Sequence, residues 1–253
     1  MPIALLRHLI GAAATLTVAS ANLGAQDSLA LRRRAEFDSV VAANRHDVVL
    51  DGARVTGGGI DWLVGEAASS HTFLIGEQHL TREITLVEDA ILRRLVGIGY
   101  THLAIEVGPY STRVAERLIR RDSLEAFLSS PGNGLTIPFL FEREFAEMTA
   151  AFVRAVPGRG PVLMGLDQEF VYAAPLLSSL VTGAARTAEE REAARAFTDA
   201  VRANPSLIGQ SDGAALRALR DGFRATRDSS MRRLLDDLLL SHTIYAPFTG
   251  RGG

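Results

Sequence analysis

The sequence predicts an α/β fold, a small parallel sheet flanked by helices with a helical C-terminal region, and three observations predict it. Thr72–Ile75, Thr101–Val107 and Val162–Leu166 are short apolar runs that read as strands. Between the first two, Ile84, Val87, Ile91, Leu92 and Leu95 fall on one side of a helix, so strand, helix and strand form a βαβ unit with parallel strands. After Asp167 the pattern is helical almost throughout.

In chain order, residues 1–25 read as a secretory signal peptide. Arg7 precedes an apolar stretch, Leu9–Val18, and two small-residue sites follow, Ala19-Ser20-Ala21 and Leu23-Gly24-Ala25. The stretch is short for a bilayer span, and no later one is long enough, so no stable membrane insertion is expected after signal removal. Residues 26–253 are expected to form a single α/β domain, periplasmic or secreted, of which 171–253 is mainly helical. Ser28–Asn44 reads as an amphipathic helix, Gly52–Gly59 as a glycine-rich break, and Ile60–Ala67 as a short helix leading into the first strand. Thr81–Val96 is a helix ended by Gly97 and Gly99. Helices follow over Ser111–Arg121, Ser123–Leu128 and Glu142–Val156, and Pro157–Pro161 resets the chain before the third strand. Thr187–Ala203, Asp212–Ala225 and Ser229–Tyr245 complete the helical region, their charged faces read as solvated surface.

Composition narrows the chemistry. A net charge of −2 sets up no field to recruit nucleic acid. There is no cysteine and no lysine, which removes disulfides, thiolate nucleophiles, Schiff-base lysines and P-loop lysines together. Carboxylates, histidine, arginine and a bound metal remain.

Those residue types gather where the predicted strands end. The first strand runs into Glu77 and His79, the second into Glu106, the third into Asp167. Ligands of open parallel sheets bind beyond the carboxyl ends of the strands. A carboxylate beside an imidazole orients it and raises its basicity, as a general base that activates water requires. Glu77 and Asp167 also fit as caps of the helices that follow. Arg82 and Arg113 are placed to hold a substrate carboxylate or to clamp Glu77 and Glu106. Glu83 stabilises a helix N-terminus or reaches His79, and Tyr110 completes the substrate-binding candidates.

Phe73-Leu74-Ile75-Gly76-Glu77-Gln78-His79-Leu80-Thr81-Arg82-Glu83 resembles the Gly-Glu-x-His signature of the erythromycin esterase-like and ChaN/Tiki-like superfamily. Leu103-Ala104-Ile105-Glu106 and Gly165-Leu166-Asp167-Gln168-Glu169 resemble that superfamily's later acidic strand ends, so the likeness runs from about Asp61 to Leu180. The chain departs from the pattern at Leu80, where the esterase branch has glycine. The resemblance implies an α/β fold with a site at strand C-termini, and a water-activating base carried onto His79 with Glu77 and Glu106 in support. It also implies further strands and another histidine downstream, so the chain reads either as an incomplete copy of the domain or as a compact variant.

The first functional expectation is an exported ester or lactone hydrolase acting on a small molecule without a cofactor. Catalysis would rest on His79, Glu77, Glu106 and Asp167. A second reading makes Glu77, His79, Glu106 and Asp167 ligands of a divalent metal in a hydrolase or peptidase. A third is a non-catalytic haem or small-ligand binder with Tyr110 or His79 as axial ligand.

Overall fold

The structure, a computed structural model, describes residues 30–76, 78–158 and 160–249; the expected signal peptide, Glu77 and the residues from Gly250 onward lie outside them. The described chain forms two compact units. One gathers Val49 and the residues before it with Thr56–Trp62, the other Leu50–Val55 with the chain from Leu63 onward.

In the first unit residues 30–43 are helical (α1), with Leu31 and Phe37 exposed. His46 stacks on Trp62 with ring centroids 4.6 Å apart. Where the sequence reads as a glycine-rich break, the chain instead pairs β1 (Val49–Asp51) with β2 (Arg54–Thr56) around Gly52. Gly52 has φ +61°, and Asp-Gly before a second short strand is a hairpin signal that the wider glycine run obscures.

From α2 (Gly58–Ala68) the chain passes through α3 (Arg82–Gly97), β3 (Leu103–Ile105), α4 (Pro109–Arg120), α5 (Leu124–Leu128), α6 (Arg143–Ala155) and β4 (Leu163–Gly165). It continues through α7 (Ala174–Ala184), α8 (Ala188–Ala203), α9 (Ala214–Gly222) and α10 (Ser229–Tyr245), ending in a 3-10 turn, Ala246–Thr249. The protein is thus mostly helical with a very small parallel sheet.

β3 and β4 pair in parallel, Leu103 opposite Leu163, Ala104 opposite Met164 and Ile105 opposite Gly165. Helices α4, α5 and α6 make the long crossover that parallel pairing demands. The strands alternate: Ile105 and Leu163 are buried in a core with Ile119, Phe145, Met148 and Phe152, whereas Ala104 and Met164 face outward. Buried residues of α7 to α10, with Phe197, Phe223 and Leu234 at the centre, form a second core. Two well-made caps start these helices. Thr187 and Glu190 form a reciprocal capping box, and the Asp228 carboxylate accepts from Ser230 and Met231 N–H groups.

One predicted strand is overturned. Thr72–Ile75 is not a strand, and the only described strands after the hairpin are β3 and β4. The segment is rich in strand-favouring residues, yet Leu74 is 85 % exposed and Ile75 is also exposed. Strand propensity measures fit to a half-buried pleated surface, and no such surface receives this segment.

Candidate active site at the strand ends

The register of β3 and β4 brings their following residues together. Leu166 N–H donates to the Ile105 carbonyl at 3.0 Å, and Asp167 N–H reaches the Val107 carbonyl at 3.4 Å. Glu106 and Asp167 therefore leave neighbouring strands at the same end of the sheet.

His79 reaches this end from the turn before α3. Its Nε2 lies 3.5 Å from Glu106 Oε2, with the two side chains 44 % and 60 % exposed. Glu106 is thus a solvent-facing carboxylate next to a buried Ile105, rather than a buried acid in need of a partner. The histidine ring stacks on Phe139, centroids 4.3 Å apart and 24° from parallel, and Phe139 packs edge-on against Phe145.

Backbone conformation marks the same spot. Of the three non-glycine residues with positive φ among those described, Leu80 (+61°) follows His79 and Phe139 (+63°) is its stacking partner. The left-handed region costs an ordinary L-residue about 1–2 kcal/mol. Strained backbone conformations of this kind cluster at functional positions. Leu80 occupies the conformation that glycine adopts freely, at the position where the resembled motif has glycine.

The remaining candidates divide. Arg82 donates through Nε to Glu144 Oε1 at 2.9 Å, so the clamp it makes joins α3 to α6 rather than to Glu106. Glu144's own backbone N–H, then Arg82 and Arg143, hold its carboxyl below the ordinary range. Glu83 is exposed in the first turn of α3. Arg113 lies over the Tyr110 ring at 5.2 Å, and Tyr110 is buried in the helical core. Burial, then the charge of Asp237 and a hydrogen bond to it, push the Tyr110 phenol up to about 12. That leaves His79 as the described candidate for an axial haem ligand. Asp167 Oδ1 accepts the N–H of Gln168 at 2.8 Å and does not cap α7, which begins at Ala174. The cap of α3 is Thr81, without a side-chain bond, so the first N–H groups of that helix carry no side-chain acceptor from their cap.

Two residues to which the sequence reading gives no role stand on, or pack against, the chain that leaves β4. Glu169 is fully buried, and its carboxylate accepts Tyr110 N–H at 2.7 Å, Ser111 N–H at 3.3 Å and the Ser111 hydroxyl. It caps α4 from outside the helix. Burial raises its carboxyl, and those hydrogen bonds oppose the rise. Tyr245, the last residue of α10, is the second. Its ring meets Phe170 edge-on at 6.3 Å, and Gln168 hydrogen-bonds its hydroxyl. Burial raises its phenol, and the charges of Asp167, Glu106 and Glu169 add to the rise. Nothing in the sequence ties Tyr245 to strand ends so far upstream; only the packing of α10 does.

Among the described residues no three His, Cys, Asp or Glu side chains form a metal-binding group, and Glu77 is not among them. An open cleft of about 380 Å³, lined by His71, Tyr100 and His102 among others, sits at the opposite end of β3 and includes none of this constellation. Comparison of the chain with family models, curated proteins and solved structures gives no match.

Proposed function

We propose that the chain is a hydrolase of an ester or lactone, with His79 as the base that activates water and Glu106 as the carboxylate that orients it. The observation that carries this reading is the His79–Glu106 pair at the carboxyl end of a parallel strand pair, with left-handed backbone at the next residue, Leu80, and at the ring's stacking partner, Phe139. An exposed pair of this kind adds little stability, so its geometry is better explained by chemistry than by folding. A separation of 3.5 Å is long for a hydrogen bond, as catalytic contacts often are before substrate binds.

With Nε2–H directed at Glu106, Nδ1 takes the proton from water. The resulting hydroxide attacks the acyl carbon, the ester C–O bond breaks, and the alkoxide leaves with a proton. Uncapped N–H groups at the start of α3, beside His79 in sequence, suit the developing oxyanion. Exposed Leu80, Leu166 and Phe141 give the surroundings an apolar character that favours esters of apolar acids. Resemblance to the erythromycin esterase-like superfamily supports the same chemistry, and the signal-like N-terminus supports an exported enzyme. Glu77, where the resemblance assigns a supporting role, is a further residue to vary.

The deciding experiment is a panel of ester and lactone substrates on the purified chain, with and without chelator. Turnover that survives chelation and disappears in His79→Ala supports the proposal. Turnover abolished by chelator and restored by zinc or manganese would replace it with the metallohydrolase reading.

A further inference from the structure

The cleft at the other end of β3 is built from two turns of chain that are tied to each other. α2 ends at Ala68 and α3 at Gly97, and the residues that follow each helix line the space of about 380 Å³. The Tyr100 hydroxyl reaches the Ala67 and Ser70 carbonyls, both at 2.9 Å. That contact holds Ser70, the residue before His71, against the chain that arrives at His102 two residues after Tyr100. Two imidazoles therefore open onto one cleft. The His102 ring is also oriented, because its Nδ1 lies 2.9 Å from the Thr101 hydroxyl oxygen. When Nδ1–H donates to that oxygen, Nε2 presents a lone pair.

Electrostatics favour a cation here. The carbonyl ends of two helices, of 11 and 16 residues, meet at the cleft and bring partial negative charge to it. Its described lining residues include no acid and no arginine, and Arg94 in the last turn of α3 is not among them. Magnesium and calcium ions take oxygen ligands, chiefly carboxylates, whereas imidazole nitrogen suits zinc, copper and nickel. We propose that His71 and His102 bind one divalent transition-metal ion of the zinc or copper class, with water completing its coordination. Thr101 is then the outer partner that fixes the His102 ring, as hydrogen-bonded partners of ligating histidines do. The ion joins the end of α2 to the start of β3, the same two pieces that Tyr100 joins, so it adds stability away from the His79–Glu106 pair. The assignment stands independently of the hydrolase reading.

The test uses untagged protein stripped of metal by a chelator and then dialysed. It is titrated with zinc chloride in a calorimeter, and with copper(II) followed by electron paramagnetic resonance. Wild type is expected to bind one zinc per chain and to melt about 5 °C or more higher at saturating zinc. His71→Ala and His102→Ala should each abolish both effects, while His79→Ala binds zinc as wild type does. Both altered side chains are exposed, and melting of the metal-free variants checks their fold. Thr101→Ala should weaken zinc binding about 10-fold or more. Copper-loaded wild type should show hyperfine structure from two imidazole nitrogens, a readout that needs no variant. Wild type that binds no zinc, binding that survives loss of either histidine, or a copper spectrum with a single nitrogen would overturn the assignment. Binding lost in His79→Ala but kept in His71→Ala and His102→Ala would also overturn it, and would move the ion to the strand ends.

Discussion

At the residue scale the site is an exposed imidazole whose described neighbours include groups of different kinds. Glu106 supplies charge, Phe139 supplies a ring face, and Leu80 supplies a backbone turn. Removing the imidazole should therefore cost function far more than stability. His79→Ala is expected to lower kcat by about 100-fold or more, while the lost stacking costs about 1 kcal/mol in a urea titration. Glu106→Gln keeps the shape and removes the charge; steady-state kinetics should record a loss of about tenfold or more, smaller than for His79→Ala. Leu80 gives the opposite prediction. Leu80→Gly relieves a left-handed residue worth about 1–2 kcal/mol, against a backbone entropy cost of about 0.5–1 kcal/mol. Thermal unfolding should thus show equal or greater stability, and turnover should persist. A marked fall in melting temperature would mean that the Leu80 side chain, 72 % exposed, contributes packing that its exposure does not suggest.

At the element scale the α4 N-terminus shows what holds the two strand ends against the helices. A Cβ on Gly108 would overlap the Glu169 carboxylate, and one on Gly165 would meet the Val107 carbonyl and the Thr112 hydroxyl. The two glycines are needed for close approach, and Glu169 fills the space that Gly108 leaves. Glu169→Ala leaves three buried donors without their acceptor and should cost about 3 kcal/mol by chemical denaturation. Glu169→Gln retains one oxygen for the two N–H groups and should cost about 1 kcal/mol, with turnover little changed. Because burial raises the Glu169 carboxyl, its contribution is fully present below the ordinary carboxylate pKa and is lost as pH rises through the raised value. Glu169→Gln should flatten that slope.

Helices α3 to α10 were legible because apolar spacing and end signals such as Thr187 and Asp228 are local. So were β3 and β4, whereas the sequence brings His79 to Glu106 through a strand, Thr72–Ile75, that does not form. Thr72–Ile75 misled because its composition is that of a strand while its burial depends on a partner that composition does not reveal. Glu169 and Tyr245 were illegible for a related reason. Each acts through an element distant in sequence, and each sits at a position that looks locally like ordinary acid or helix end.

At the scale of the whole molecule, α4 and α7 belong to both cores of the larger unit. Tyr110 and Leu177 pack with the C-terminal helices, while Ile119 and Leu176 pack beneath the sheet. The link from α4 to α10 runs through the Tyr110 hydroxyl and Asp237. It can be read by alkaline titration with unusual clarity, because the chain has no lysine and no cysteine and arginine stays charged. Folding favours the protonated phenol, since burial and Asp237 both oppose the phenolate, and the shift is from 10.0 to about 12. The stability it contributes is therefore complete below pH 10 and is lost as pH rises through about 12, an effect of about 2–3 kcal/mol at most. Tyr110→Phe should lower stability at neutral pH by about 1 kcal/mol, because Asp237 loses a donor. It should also make the decline between pH 10 and 12 shallower, leaving the contribution of Tyr245, which has the same sign. Denaturation midpoints across that window, followed by tyrosinate absorbance, measure both effects. If the Tyr110→Phe curve stays parallel to wild type above pH 10, the α4–α10 link does not run through this phenol.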